Sequence, residues 1–197
     1  MPFFDPIRIG ASGAVADFTV ERSLRFDEGG SHYLERTPSS ASSRTTWTLS
    51  FWIKRCELGR TQGLFCVNGS DNNTLTEFMF ASGNNLIWSA SSKEYWRTTR
   101  VFRDTTAWYH IVIVCDTTNS TQADRQPLYI NGVRETDFST QNLTGSGTEF
   151  GFNRTIAHQI GRRGGGSDNF EGYMAEINFI DGQALTPSSF AETDADT

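Results

Sequence analysis

Short runs of alternating apolar and polar residues, each ended by a turn signal, follow one another along most of this chain. The clearest run is TWTLSFWIKR, in which Trp47, Leu49, Phe51 and Ile53 share one face. A period of two residues is that of a β-strand with one buried face. About a dozen such runs occur, and none has a sustained helical period. The pattern predicts an all-β protein made of two packed antiparallel sheets or a barrel.

Two further segments indicate how the strands are arranged. The run WYHIVIVCD is apolar on both faces, which is typical of a strand in the middle of a sheet. Asn131-Gly132 separates two apolar runs, and this dipeptide favours a tight hairpin because both central residues of a type I′ turn need positive φ. Gly83-Asn84-Asn85 predicts a second hairpin.

The chain divides into three parts. Residues 1–18 have no sustained period and are predicted to be an extended arm for anchoring or assembly, which becomes ordered only on assembly. Residues 19–190 are predicted to form one domain, and residues 191–197 an acidic polar tail. No internal repeat is visible.

Charge and cysteine content exclude some classes of function. The formal net charge is -6, so the basic surface that nucleic-acid binding requires is not expected. Cys56, Cys66 and Cys115 are odd in number and have no paired spacing, which favours three reduced thiols. The alternative is a bridge between Cys56 and Cys66.

Segments that would direct the chain to or across a membrane are not predicted. The N-terminus does not have the charged start and apolar stretch of a secretory signal. No apolar run approaches the roughly 20 residues that span a bilayer. We therefore expect a protein that is made in a cytoplasm, is not secreted and has no membrane partner.

Four segments together resemble a known family. They are SLRFDEGGSHYLERT, TWTLSFWIKR, WYHIVIVCDTTNSTQADRQPLYINGVRE and HQIGRRGGGSDNFEGYMAEINFIDGQAL, in this order over residues 23–190. The pattern is similar to laminin G-like, concanavalin A-like jelly-roll domains. The resemblance implies a β-sandwich of two antiparallel sheets, in which the strand within GYMAEINFIDGQAL returns beside the first strand and Asp181-Gly182 turns the chain out of the sheet.

A narrower resemblance concerns the arm FFDPIRIGASGAV, the phrase DTTNSTQADRQPLYINGV and the ending NFIDGQALTPSSFAETD. These segments look like structural proteins of tailed bacteriophages, notably those of marine and cyanobacterial hosts. The resemblance implies a virion location, capsid or tail proteins as partners, and a symmetric homo-oligomer such as a trimer.

Calcium is the one cofactor that the family resemblance brings in, because laminin G-like domains often bind it at the rim of the sandwich. Ca²⁺ takes six to eight oxygen ligands. The predicted ligands lie in the first corner and just before the closing strand: Asp27, Glu28, Asp168, Asn169 and Glu171. The other interpretation is that acidic and Asn residues are simply favoured in turns.

Aromatic rings near loop ends are candidates for stacking on a sugar. The predicted glycan contacts are Trp88, Tyr95 and Trp96, whereas Trp47, Phe51 and Trp108 are predicted to be in the core. The alternative for the first three is also core packing, since a sandwich of this size needs many large residues.

Catalytic groups are not predicted. Glycoside hydrolysis needs two carboxyls about 5 to 10 Å apart, and Glu176 and Asp181 are expected on different faces of the closing strand. His110 is expected to be a histidine within a sheet rather than a metal ligand. Together with this, the resemblance to phage structural proteins implies a non-enzymatic virion structural protein, a capsid decoration or tail-fibre module. The alternative is a lectin-like module for a host-surface glycan, which binds either without a cofactor or with calcium.

Overall fold

The computed structural model describes residues 22–67, 75–166 and 168–191. Within these ranges the chain is almost entirely strands and turns, with two short 3-10 helices at Gln122–Asp124 and Pro187–Ser189. In chain order the strands are β1 (Leu24–Phe26), β2 (Leu34–Arg36), β3 (Thr46–Arg55), β4 (Gln62–Val67), β5 (Thr76–Phe80), β6 (Asn85–Ala90), β7 (Lys93–Val101), β8 (Tyr109–Asp116), β9 (Leu128–Ile130), β10 (Val133–Arg134), β11 (Phe138–Gln141), β12 (His158–Ile160) and β13 (Gly172–Asp181).

The strands form two antiparallel sheets, as the sequence predicts. One sheet has the order β1-β13-β3-β8-β9-β10, and the other has the order β11-β7-β6-β5-β4-β12-β2. The run that is apolar on both faces, β8, lies inside the six-stranded sheet between β3 and β9. Asn131 and Gly132 both have positive φ at the tight turn between β9 and β10, which confirms the hairpin.

The closing strand lies beside the first strand, as the resemblance implies. β13 pairs with β1 through Gly172–Met174 and with β3 along most of its length. Its pairing with β3 contains a bulge, since Ala175 faces Trp52 but Asn178 faces Ser50, and Glu176 there has φ 47°. A bulge of this kind inserts one extra residue and bends the strand.

After Gly182 the chain leaves the sheet edge and crosses the outer face of the six-stranded sheet. The buried Thr48 hydroxyl donates to the Gln183 carbonyl (2.8 Å) and accepts from the Leu185 amide (2.9 Å). One side chain thus holds the segment of residues 183–190 in place. This segment forms part of the site described below.

The core between the sheets is unusually rich in aromatic rings. Trp47 on β3 is fully buried, with ring centroids 5.0 Å from Phe152, 5.6 Å from Trp88 and 5.7 Å from Phe179. These partners come from both sheets and from the loop after β11. Burial of aromatic surface on this scale is the main stabilising contribution that the fold offers.

Several sequence expectations can be compared directly with the structure. Trp47 and Phe51 are buried as predicted, but Trp108 lies before β8 and is only half-buried. β11 was not predicted, because its sequence FSTQ has a single apolar residue at a sheet edge. The predicted arm, residues 1–18, and residues 192–197 of the predicted tail lie outside the described residues.

All three cysteines are free thiols, which confirms the first interpretation and excludes the bridge between Cys56 and Cys66. Burial raises the pKa of Cys66 to about 12. No helix in the part of the chain that the structure describes has the length and hydrophobicity needed to cross a membrane.

Candidate ligand-binding site

The structure brings together part of the predicted calcium corner. Glu28 follows β1 and Glu171 precedes β13, and the Glu28 amide donates to Glu171 Oε2 at 2.8 Å. The Glu28 carboxylate is bound by Arg60 Nη2 at 2.9 Å, a hydrogen bond that lowers the pKa of Glu28. Arg25 lies 3.7 Å from Glu171. The two carboxylates are therefore already neutralised by cations of the chain.

The other three predicted calcium ligands have different surroundings. Asp27 accepts from the Gly30 amide at 3.2 Å, and Asp168 pairs with Arg163 at 3.2 Å. Asn169 is buried. No group of three His, Cys, Asp or Glu side chains that could hold a metal ion exists among the described residues. Glu28, Glu171 and Asp168 are thus engaged by arginines, and calcium binding at this corner stays a prediction.

The predicted sugar-stacking aromatics are mostly in the core. Trp88 and Trp96 face each other on β6 and β7 and are 0% and 2% exposed, so neither ring is open to a ligand. The prediction for these two residues is wrong, because both point between the sheets. Tyr95 is half-buried, with its ring 5.1 Å from Phe150 and with Lys93 Nζ 4.9 Å from its centroid. The structure does not bring the three rings together on the surface.

The carboxylates of the closing strand are far apart. Glu176 is exposed at the bulge, whereas Asp181 Oδ1 accepts from Asn153 Nδ2 at 2.7 Å at the end of β13. Five residues of a strand span roughly 16 Å, which exceeds the ~5 to 10 Å separation of a glycosidase pair.

Two concavities formed by described residues could hold a ligand. The larger, of about 630 Å³, opens at the flank between the sheets and has a mainly apolar floor that includes Phe65, Phe152, Ile177 and Phe179. The smaller, of about 250 Å³, lies on the outer face of the six-stranded sheet. We call the first the flank cleft and the second the Tyr129 concavity.

The Tyr129 concavity is built around one outward-facing ring. In β9, Leu128 and Ile130 point into the core, so Tyr129 between them points outwards and is half-buried. Its neighbours in register are Val112 on β8 and Arg134 on β10. The ring is thus held by the sheet, which makes it a rigid surface.

Polar side chains surround this ring. Asp124 and Arg134 form an ion pair at 2.7 Å, with both side chains about 40% exposed. Asp116 and Asn119 lie on another side of the ring. Asp116 Oδ1 accepts a hydrogen bond from the Thr118 amide at 3.2 Å, and Asn119 Oδ1 accepts one from the Thr121 amide at 2.9 Å. The segment after Gly182 provides the remaining wall through Ala184, Leu185 and Thr186.

Sequence reasoning did not identify these residues as a site. The signal that was present is the alternation of Leu128, Tyr129 and Ile130 next to an Asn-Gly turn, which places a tyrosine on the outer face. The contribution of residues 184–186 has no such signal, because they are 55 or more positions further along the chain.

Comparison with solved structures shows the same fold in several other proteins. One is a heptameric SAP-like pentraxin from Limulus polyphemus, 19% identical, with a TM-score of 0.52 over 78% of this chain and 71% of that one. A second is domain 4 of an extracellular arabinanase from Geobacillus stearothermophilus, in complex with arabinotriose. It is 18% identical, with a TM-score of 0.51 over 77% of this chain and 66% of that one. A third is the CBM40 of a Ruminococcus gnavus IT-sialidase, bound to α2,3-sialyllactose. It is 12% identical, with a TM-score of 0.54 over 80% of this chain and 95% of that one. At these identities the likeness concerns the fold alone.

The sequence itself also identifies the family. No curated protein matches the chain. A family model matches residues 28–190, which are most of the chain, and its description is that of the concanavalin A-like lectins and glucanases. The fold and this match agree with the resemblance found in the sequence. The protein therefore belongs to the concanavalin A-like lectin/glucanase superfamily.

Proposed function

We propose that the protein is a non-enzymatic carbohydrate-binding module and that its sugar site is the Tyr129 concavity. The observation that carries the proposal is a half-exposed tyrosine ring on the floor of a concavity edged by two carboxylates, an amide and a guanidinium group. An aromatic face packs against the apolar face of a sugar ring, and the polar groups exchange hydrogen bonds with its hydroxyls.

The size and charge of the concavity restrict the ligand. Its volume of about 250 Å³ is below the ~300 to 1,000 Å³ of pockets for drug-sized ligands, so one sugar residue is expected to occupy it. Arg134 is already paired with Asp124, and Asp116 adds a further negative charge. A neutral sugar is therefore favoured over a sialylated or sulfated one.

Proteins of the same fold support this class of function. The CBM40 with sialyllactose and the arabinanase domain with arabinotriose are both bound to glycans in their structures. The separation of Glu176 and Asp181 supports a binding module without glycosidase activity.

Replacing Tyr129 by alanine is expected to weaken sugar binding at least about tenfold, because a stacked aromatic contact together with its buried area contributes more than ~1.4 kcal/mol. A glycan array with the unmodified protein identifies the ligand, and titration calorimetry then compares the variants.

The matched control is Tyr173→Ala. Tyr173 is a partly buried tyrosine on the same sheet, opposite Lys54 and outside the concavity. Its replacement should leave the affinity unchanged. Equal weakening by both variants, or undiminished binding by Tyr129→Ala, would contradict the proposed site.

We also infer that this module is carried on the particle of a tailed bacteriophage, in contact with capsid or tail proteins and in a symmetric oligomer such as a trimer. One observation favours this second proposal. Two of the segments that resemble phage structural proteins, residues 116–133 and 178–194, provide all the residues that line the Tyr129 concavity except Val114 and Arg134. The resemblance and the candidate site thus coincide.

Immunogold electron microscopy of purified particles, with an antibody to residues 20–190, tests the virion proposal. Label on the tail or fibres is expected if the module recognises a host glycan, and label over the head would indicate a decoration protein. Unlabelled particles would contradict the virion location, while the sugar-binding proposal would still depend on the Tyr129 comparison.

A further inference from the structure

Thr48 belongs to the outer face of the six-stranded sheet, yet its side chain is fully buried. Its neighbours on β3, Trp47 and Leu49, belong to the core, so the alternation of the strand turns Thr48 outwards. Threonine on an outer face is usually open to water. This one is 0% exposed, and its hydroxyl is bonded to Gln183 and Leu185. The chain after the closing strand therefore lies directly over it.

Residues 183–191, which we call the strap, are attached to the sheet through few groups. The Thr48 hydroxyl donates to the Gln183 carbonyl at 2.8 Å and accepts from the Leu185 amide at 2.9 Å. The other hydrogen bonds of the strap are internal, such as that from the Ser189 amide to the Thr186 carbonyl. In the described part of the chain, Thr48 thus makes every hydrogen bond between the strap and the sheet.

Packing adds little to this attachment. Pro187 is the one buried residue of the strap, and Leu185, Phe190 and Ala191 are half-buried, while its remaining residues are exposed. A segment with few buried apolar contacts opens locally at a low free energy. The two hydrogen bonds of Thr48 are therefore a large part of what keeps the strap in place.

The strap is also one wall of the Tyr129 concavity. Ala184, Leu185 and Thr186 line it, and the residue that Thr48 holds by its amide, Leu185, is the middle one of the three. Thr48 is opposite Val114 on β8, which lines the concavity as well. Thr48 itself is not among the lining residues, so it acts on the wall from beneath and leaves the surface that meets a ligand unchanged.

We propose that Thr48 is the positioning residue of the Tyr129 concavity: its hydroxyl holds the strap where residues 184–186 complete the site. The inference rests on the proposed function, because it concerns the same sugar site. A wall that is already in place removes the ordering cost that binding would otherwise include. A sugar that contacts this wall should in turn hold the strap in its closed position, since a ligand favours the conformation that it binds.

Two substitutions in the full-length chain separate the hydroxyl from the rest of the side chain. Thr48→Val keeps the shape and removes the hydroxyl, whereas Thr48→Ser keeps the hydroxyl. Hydrogen exchange, followed by mass spectrometry, is expected to be about tenfold faster or more in Thr48→Val for the peptide covering 183–190. In Thr48→Ser this peptide should exchange as in the unmodified protein. The peptide covering 49–55 should be unchanged in both variants, which shows that the sheet is intact.

An array of neutral mono- and oligosaccharides tests the consequence for binding. Thr48→Val is expected to need about tenfold more protein than Thr48→Ser for the same signal, because binding then has to order the wall. Equal signals or equal exchange of the strap in the two variants would overturn the proposal, and so would faster exchange throughout β3. An unmodified protein that gives no signal would instead contradict the sugar site, and the exchange of the strap would still decide whether Thr48 positions this wall.

Discussion

Replacing Arg55 by methionine is expected to lower the free energy of unfolding by about 3 to 5 kcal/mol. Arg55 ends β3 inside the protein and is fully buried. Its guanidinium donates to Gln62 Oε1 (3.1 and 3.3 Å), to Asn84 Oδ1 (3.0 Å) and to the Phe102 carbonyl (2.8 Å). No carboxylate within salt-bridge distance of it is found in the described ranges.

The loss of stability arises because the Arg55 side chain donates hydrogen bonds to three separate segments of the chain. Without the guanidinium, buried oxygens of Gln62 and Phe102 lose their donor, and each unsatisfied buried group costs about 1 to 3 kcal/mol. The Phe80 ring, whose centroid lies 4.2 Å from Arg55 Cζ, loses a cation–π contact. Burial lowers the pKa of Arg55 to about 10, so the side chain remains protonated at neutral pH.

Urea unfolding followed by tryptophan fluorescence measures the effect. The control is Lys54→Met, one residue earlier in β3 and on the opposite face, for which a change within about 0.5 kcal/mol is expected. Similar destabilisation by both variants would show that the network around Arg55 contributes no specific stability.

Replacing Trp47 by alanine is expected to cost a similar amount, about 3 to 5 kcal/mol, through loss of buried area and creation of a cavity. Trp47 contacts rings of both sheets, and its partners Trp88, Phe152 and Phe179 cannot all move to fill the space. The substitution would therefore weaken the packing of one sheet against the other.

Trp52→Ala is the matched control for this prediction. Trp52 lies on the same strand but on the outer face, is half-buried and stacks on His110 at 4.9 Å. Its replacement is expected to cost clearly less in the same unfolding experiment. If the outer tryptophan proved to be as costly as the inner one, the core around Trp47 would not be the main stabilising cluster.

The fold was largely predictable from sequence, because the residue patterns that specify its strands and turns are local. The alternation in β3, the apolar run of β8 and the Asn-Gly turn each specify their own element. β11 escaped prediction since an edge strand with one apolar residue has no clear alternation.

The candidate sites were less predictable, because they depend on contacts between distant residues. Nothing near Glu28 in the sequence shows that Arg60 would bind its carboxylate. Trp88 and Trp96 lie near loop ends, yet the pairing of β6 with β7 turns both rings inwards. Tyr129 becomes part of a concavity only when the chain returns 55 residues later to pack Ala184 beside it.

The three thiols differ in a way that has a practical consequence. Cys66 and Cys115 are buried and Cys56 is exposed, so a maleimide reagent should modify the folded protein at one position. Cys56 follows the last residue of β3, whereas the Tyr129 concavity lies beside the other end of that strand, where Thr48 pairs with Val114. Eight residues of extended chain correspond to roughly 26 Å. A surface or a fluorophore attached through this native thiol would thus leave the concavity facing the solution, and every immobilised molecule would present it in the same orientation.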